Sequence, residues 1–128
     1  MVEIGATNTI ISVVGEKDTA KEVGSGTLRV LATPRLIALM EECAYKCIEN
    51  MLEEGTTSVG TEIEIQHLAA TPVGMKYSVR ADVLLVEGRK ITFKLAAHDE
   101  NGIIAEGMHE RFIVFEEKFI AKTYSKLK

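Results

Sequence analysis

Residues 33–55 read TPRLIALMEECAYKCIENMLEEG, and the way this stretch separates polar from apolar positions decides how the rest of the chain is arranged. Thr33-Pro34 has the form of a helix start, because a threonine oxygen accepts from an orphan backbone N–H and proline is pre-set for the first helical position. Gly55 is the natural stop. Projected at about 100° per residue, Arg35, Glu42, Lys46, Glu49 and Glu53 fall on one solvated stripe, while Ile37, Met40, Ala44, Cys47, Ile48 and Met51 gather opposite. The predicted helix over 34–54 is a rod of ~31 Å, long for a chain of this size and therefore its central element. Glu41 breaks the pattern by falling with the apolar group, beside Ile37 and Ile48. A carboxylate there loses hydration worth on the order of several kcal/mol unless it is paired or protonated, which points to chemistry.

Downstream of the helix the periodicity changes from 3.6 to 2. Val59, Thr61, Ile63, Ile65 and His67 share one face of a predicted strand, with Gly60, Glu62, Glu64 and Gln66 on the other. His67 is thereby in register with the apolar face and placed to meet Glu41. Met75, Tyr77, Val79, Ala81, Val83 and Leu85 alternate in the same way, and Glu87-Gly88 turns the chain into Ile91, Phe93, Leu95 and Ala97. Asn101-Gly102, suited to positive φ, leads into a last strand from Ile103 to Phe115. Upstream, Thr9 to Val14 is a short β-branched strand closed by Gly15. Residues 16–32 contain Gly24-Ser25-Gly26 and no aromatic side chain, and read as a mobile surface segment with at most one turn of its own, the natural place for a lid. The charged tail from Glu116 is left without an assigned structure.

Five strands joined largely by short turns predict an antiparallel sheet with one apolar face, and the helix has the matching stripe. The class is α+β, with the helix lying across the sheet. A single layer of helix on sheet leaves exposed edges, so pairing of two copies edge to edge into a homodimer is expected.

A chain of 128 residues with 46% hydrophobic content suits one domain over 1–128, since no linker-like stretch divides it. No apolar run approaches the ~20 residues of a membrane span, and the N-terminus lacks a signal-peptide pattern, so a cytoplasmic protein without a membrane partner is expected. The formal charge is -4 and the basic residues are scattered, which argues against nucleic acid. Cys43 and Cys47 are the only cysteines and read as small buried hydrophobes. His67, His98 and His109 form no local ligand pattern, and no metal is expected; His98 reads as a solvated turn residue.

The runs Val30-Leu31-Ala32-Thr33-Pro34, Val59-Gly60-Thr61, His67-Leu68-Ala69-Ala70-Thr71-Pro72-Val73-Gly74, Val86-Glu87-Gly88-Arg89-Lys90 and His109-Glu110-Arg111 closely resemble the hotdog-fold acyl-CoA thioesterases, in the branch containing fluoroacetyl-CoA thioesterase. The match extends from about the helix start to the end of the last strand, in the same order and at matching spacing. The resemblance implies an antiparallel sheet wrapped around one long central helix and hydrolysis of a small acyl-CoA thioester to free acid and CoA. Coenzyme A is then part of the substrate, and no further cofactor is implied. By motif, Thr33, Glu41 and His67 carry the catalysis, and Gly60 and Arg111 border the substrate. The member that handles fluoroacetyl-CoA bears an aromatic lid before the helix; residues 16–32 here lack one, so a different short acyl group is expected.

Each of these residues has a plainer reading beside the catalytic one. Thr33 reads also as a helix N-cap, His67 as a core histidine bonded to a backbone carbonyl, and Glu41 as a structural ion pair with Arg111. Gly60 reads as a bulge or a close helix contact, and Arg111 as a surface charge with a buried stem. Thr33 and Glu41, eight residues apart on one straight helix, are separated by ~12 Å of rise, so something must lie between them or the chain must bend. In the leading mechanism His67 is base and acid, Glu41 orients it or activates water, and Thr33 attacks or positions the water. A CoA-linked dehydratase and a non-catalytic acyl-CoA-binding module remain alternatives. Lys76, Arg89 and Lys90 are candidates for the CoA phosphates, with surface solvation as the plainer role.

Overall fold

The computed structural model describes residues 1–128. Five strands, β1 (Thr7–Val13), β2 (Thr56–His67), β3 (Lys76–Glu87), β4 (Lys90–Asp99) and β5 (Gly102–Phe115), form one sheet in the order β1-β3-β4-β5-β2. Every neighbouring pair is antiparallel, as the short turns require for β3-β4 and β4-β5, and β1 and β2 are the edges. The first strand begins and ends slightly earlier than the span from Thr9 to Val14.

Helix α2 (Thr33–Ile48) lies against the sheet and continues only as a single 3₁₀ turn, Glu49–Met51. It is shorter than residues 34–54 because the last turn tightens at Ile48, a common ending for an α-helix. Gly55, at φ 84°, sits in the turn entering β2 and does not cap the helix. Leu36, Leu39, Met40, Cys43, Ala44 and Ile48 meet Tyr77, Val79, Ala81 and Val83 of β3 and Ile91, Phe93, Leu95 and Ala97 of β4 in one cluster of 19 buried residues. Each large apolar side chain so buried contributes roughly 1.5–3 kcal/mol. The Cys43 thiol donates to the Asn8 carbonyl at 3.2 Å, and Asn8 Nδ2 returns a bond to the Cys43 carbonyl at 3.1 Å, fastening α2 to β1. Burial pushes that thiol up to about 11, so it is a structural group.

Two bulges re-aim side chains that strict alternation places wrongly. Gly60 stands opposite Arg111 and Glu62 opposite Glu110, so Thr61 is an extra residue and Gly60 joins Ile63, Ile65 and His67 on the helix-facing side. Val83 stands opposite Phe93 but Leu85 opposite Thr92, which sends Leu85 to the outer face, where it is 43% exposed.

The segment over 16–32 is better anchored than a free surface loop. It holds a 3₁₀ turn (Glu16–Asp18) and helix α1 (Ala20–Val23), with Asp18, Thr19, Leu31 and Ala32 all buried. The Ala20 N–H donates to the Val30 carbonyl at 2.8 Å, and the Ala32 N–H to the Asp18 carbonyl at 2.9 Å, closing the loop on itself. Asp18 also accepts from Arg35 Nε at 3.1 Å, which ties the loop to α2. The tail forms helix α3 (Glu116–Tyr124), with Phe119, Ile120 and Tyr124 exposed.

Candidate active site

Thr33 and His67 are brought together. The N-cap of α2 is Ala32, without a side-chain hydrogen bond, and Thr33 occupies the first helical turn ahead of Pro34. Its hydroxyl is therefore not spent as a cap. Thr33 Oγ1 lies 2.7 Å from His67 Nδ1, a short hydrogen bond between a helix start and the last residue of β2. His67 Nε2 is buried and has no hydrogen-bond partner in the chain. Burial holds the imidazole below its ordinary 6.5, with the Ala69 backbone partly opposing the shift. Beside this pair runs a groove of about 330 Å³ lined by Ala20, Ser25, Val30 and Leu31 of the anchored segment, Pro34, and Leu68-Ala69-Ala70.

Glu41 does not meet His67 within the chain. Two turns of uninterrupted helix carry it away from Thr33 to the other end of β2, and it lies on the flank of α2 with its side chain 42% exposed, outside the buried arc. Its neighbours are Gly60 and Arg111. A Cβ on Gly60 would fall 2.8 Å from Glu41 Oε2, 3.2 Å from His109 Cε1 and 3.4 Å from Arg111 Nη1, so the bare backbone there makes room for the carboxylate. Both plain readings of Gly60, bulge and close helix contact, thus hold at adjacent positions.

Arg111 is buried, 7% exposed, and is not a surface charge on a buried stem. Its Nε donates to Ser58 Oγ at 2.8 Å and its Nη2 to the Ser58 carbonyl at 3.0 Å. Glu41 Oε2 stands 3.9 Å from Nη1, near enough for attraction and too far for a hydrogen bond. Tyr45 lies under the guanidinium at 5.8 Å. Burial lowers the Arg111 pKa, opposed by the Glu41 charge. Ser58 escaped the reading of the sequence, and Leu68-Ala69-Ala70 entered it only as part of a motif run and not as a groove wall, because neither has a charge or a periodicity that sets it apart. His98 is exposed on β4, two residues before the turn.

The two clusters stand toward opposite ends of one strand, β2. The family model described as "Fluoroacetyl-CoA-specific thioesterase" matches residues 14–117. The chain belongs to this family of hotdog-fold thioesterases. The fluoroacetyl-CoA thioesterase of Streptantibioticus cattleyicolor is 40% identical over 97 residues, covering 76% of this chain and 70% of the relative. The crystal structure of the fluoroacetyl-CoA thioesterase FlK superposes with a TM-score of 0.93 at 33% identity, covering 98% of both chains. A Thermus thermophilus member of the thioesterase superfamily gives 0.89 at 28% identity, over 99% of this chain and 93% of that one. The family's fold accounts for the sheet curled over α2. No helix is long and apolar enough to cross a membrane.

Proposed function

We propose that this chain, an acyl-CoA thioesterase, hydrolyses a short-chain acyl-CoA at a site built from Thr33, His67 and Glu41 of two copies, with Gly60 and Arg111 bordering the acyl group. The observation that carries this reading is the 2.7 Å contact between Thr33 Oγ1 and His67 Nδ1 beside a groove. His67 Nδ1 takes the hydroxyl proton as Thr33 Oγ attacks the thioester carbonyl, or takes the proton of a water that Thr33 holds; CoA leaves as the thiol in either route. Trapping an acyl-enzyme on Thr33 distinguishes the two. Backbone amides near Gly60 or at the start of α2, where the helix dipole favours negative charge, receive the oxyanion.

The second copy is argued from topology. β2 is an edge strand, and antiparallel pairing of two β2 edges about a two-fold axis sets the His67 end of one copy beside the Gly60 and Glu41 end of the other. That arrangement supplies a carboxylate for the orphan Nε2 of His67, the kind of partner a buried ring nitrogen requires. It also removes the 12 Å difficulty between Thr33 and Glu41 without bending the helix. Mixing inactive His67→Ala and Glu41→Ala homodimers is expected to restore about a quarter of the wild-type activity, since about half the dimers are mixed and each carries one intact site. Activity that stays absent after verified subunit exchange would sink the shared site.

The acyl group is short, as suits the small groove. Structures have been solved of one FlK variant with fluoroacetate and CoA and of another with acetyl-CoA. No Phe, Tyr or Trp lies in 16–32 of this chain, so the preferred acyl group is a short one other than fluoroacetyl. Thiol release across a panel of short acyl-CoAs tests the function; saturable binding without thiol release would favour a binding module or a dehydratase. The free thiols of Cys43 and Cys47 fit a reducing, cytoplasmic setting.

Gly60→Ala is expected to displace the Glu41 carboxylate and lower kcat about ten- to a hundred-fold. The melting temperature should fall by only a few degrees, because the atom met first ends a flexible side chain and only the His109 ring, at 3.2 Å, resists. Kinetics and melts on one preparation check both, and an unaltered kcat would separate Gly60 from the site.

A further inference from the structure

His109 has no part in the mechanism above, yet it is 1% exposed and bonded on both ring nitrogens. Its Nδ1 lies 2.8 Å from the Glu62 carbonyl, and its Nε2 lies 3.2 Å from Arg111 Nη1. A carbonyl only accepts and a guanidinium only donates, so the network assigns one tautomer: Nδ1 carries the proton and Nε2 is the acceptor. Phe93 stacks on the ring at 6.0 Å and fixes its plane.

The consequence lies with Arg111. Its three acceptors, Ser58 Oγ, the Ser58 carbonyl and His109 Nε2, are all neutral, and the carboxylate recorded beside it is that of Glu41 at 3.9 Å. Coulomb attraction draws Nη1 toward Glu41, and a shift of about 1 Å would complete an ordinary ion pair. His109 Nε2 accepts from the same Nη1 at 3.2 Å and so holds it where it stands. Meanwhile Gly60 leaves the carboxylate space against the backbone of β2. We propose that His109 is a positioning residue, a one-tautomer acceptor that restrains Arg111 from closing on Glu41 and so keeps the carboxylate available to the thioester site. The proposal rests on the reading that Glu41 serves that site.

Two isosteric substitutions separate this role from simple support of the Thr61 bulge. In His109→Asn the amide nitrogen matches the ring Nδ1 and keeps the bond to Glu62 while losing the acceptor. In His109→Gln the amide oxygen matches Nε2, keeping an acceptor for Arg111 and losing the other arm. The Asn variant is expected to lose about a hundred-fold in kcat with KM little changed, and the Gln variant to remain within a few-fold of wild type. Equal rates in the two variants, whether kept or lost, or a faster Asn variant, overturn the proposal. The wild-type protein provides a check independent of folding. Imidazole ¹⁵N spectra should show His109 as the Nδ1–H tautomer at neutral pH, and the Nε2–H tautomer or a doubly protonated ring overturns it. Glu41→Gln in the same assay tells the two failures apart. Unchanged turnover there removes the site reading itself, while lost turnover together with equal His109 variants removes this inference alone.

Discussion

Changing His67 to alanine is expected to slow thiol release from a short acyl-CoA by about a thousand-fold, within the range for lost general acid–base catalysis. The variant should stay folded, because His67 ends an edge strand and lies outside the buried cluster. The pH dependence makes the expectation sharper. Only neutral His67 accepts the Thr33 proton, so kcat/KM should rise with pH as the ring deprotonates. Burial lowers that midpoint, while the second copy's carboxylate beside Nε2 raises it, so the test is the presence of the limb. The same limb in residual His67→Ala activity would remove His67 as the base.

The same shift bears on stability. His67 and His109 are both held below their unfolded values, chiefly by burial. The unfolded chain then binds more protons, so stability is fully present above about 6.5 and declines as pH falls from there through the lower folded values. Denaturant midpoints from pH 8 down to about 5 should show this decline, and its slope should flatten in His109→Gln.

Gly107→Ala is expected to be the most destabilising small change in the sheet. A Cβ at Gly107 would fall 1.9 Å from the Glu64 carbonyl oxygen and 2.8 Å from Ile65 Cδ1. Side chains yield to such a contact, as Glu41 is expected to in Gly60→Ala; a strand backbone does not. Gly107 faces Ile65 of β2 and Leu95 of β4, so the clash sits where β2 is held to the sheet. Overpacking typically costs 1–3 kcal/mol, and a backbone contact belongs at the upper end, about 3 kcal/mol, or a fall of roughly 10 °C in melting temperature. Catalysis should fall as well, because His67 stands two residues beyond Ile65. A melting temperature within about 2 °C of wild type would show that the two strands separate freely there.

The central helix, the antiparallel strands and the α+β class were legible because each element repeats its apolar residues at its own period. Motif order then pointed to the thioesterase family and to Thr33, Glu41, His67, Gly60 and Arg111. Several local details were not legible. A bulge changes strand parity by one residue and leaves no mark on the alternation, so Gly60 was placed on the outer face and Leu85 on the inner one. Thr33 matched an N-cap because its residue type suits that role; only the position of Ala32 frees its hydroxyl. Glu41 was read as buried from a helical projection, which gives an angle and not what faces it.

What the residues determined unaided is the inventory: one amphipathic helix, five alternating strands, and an acid and an imidazole out of keeping with their surroundings. Tertiary structure decided which of these meet. Thr33 finds His67 because α2 runs back along β2; Glu41 finds Gly60 and Arg111 because a rigid helix carries it two turns further on. Such encounters depend on where separate elements cross, and crossing is set by the packing of the whole core, which no local period encodes.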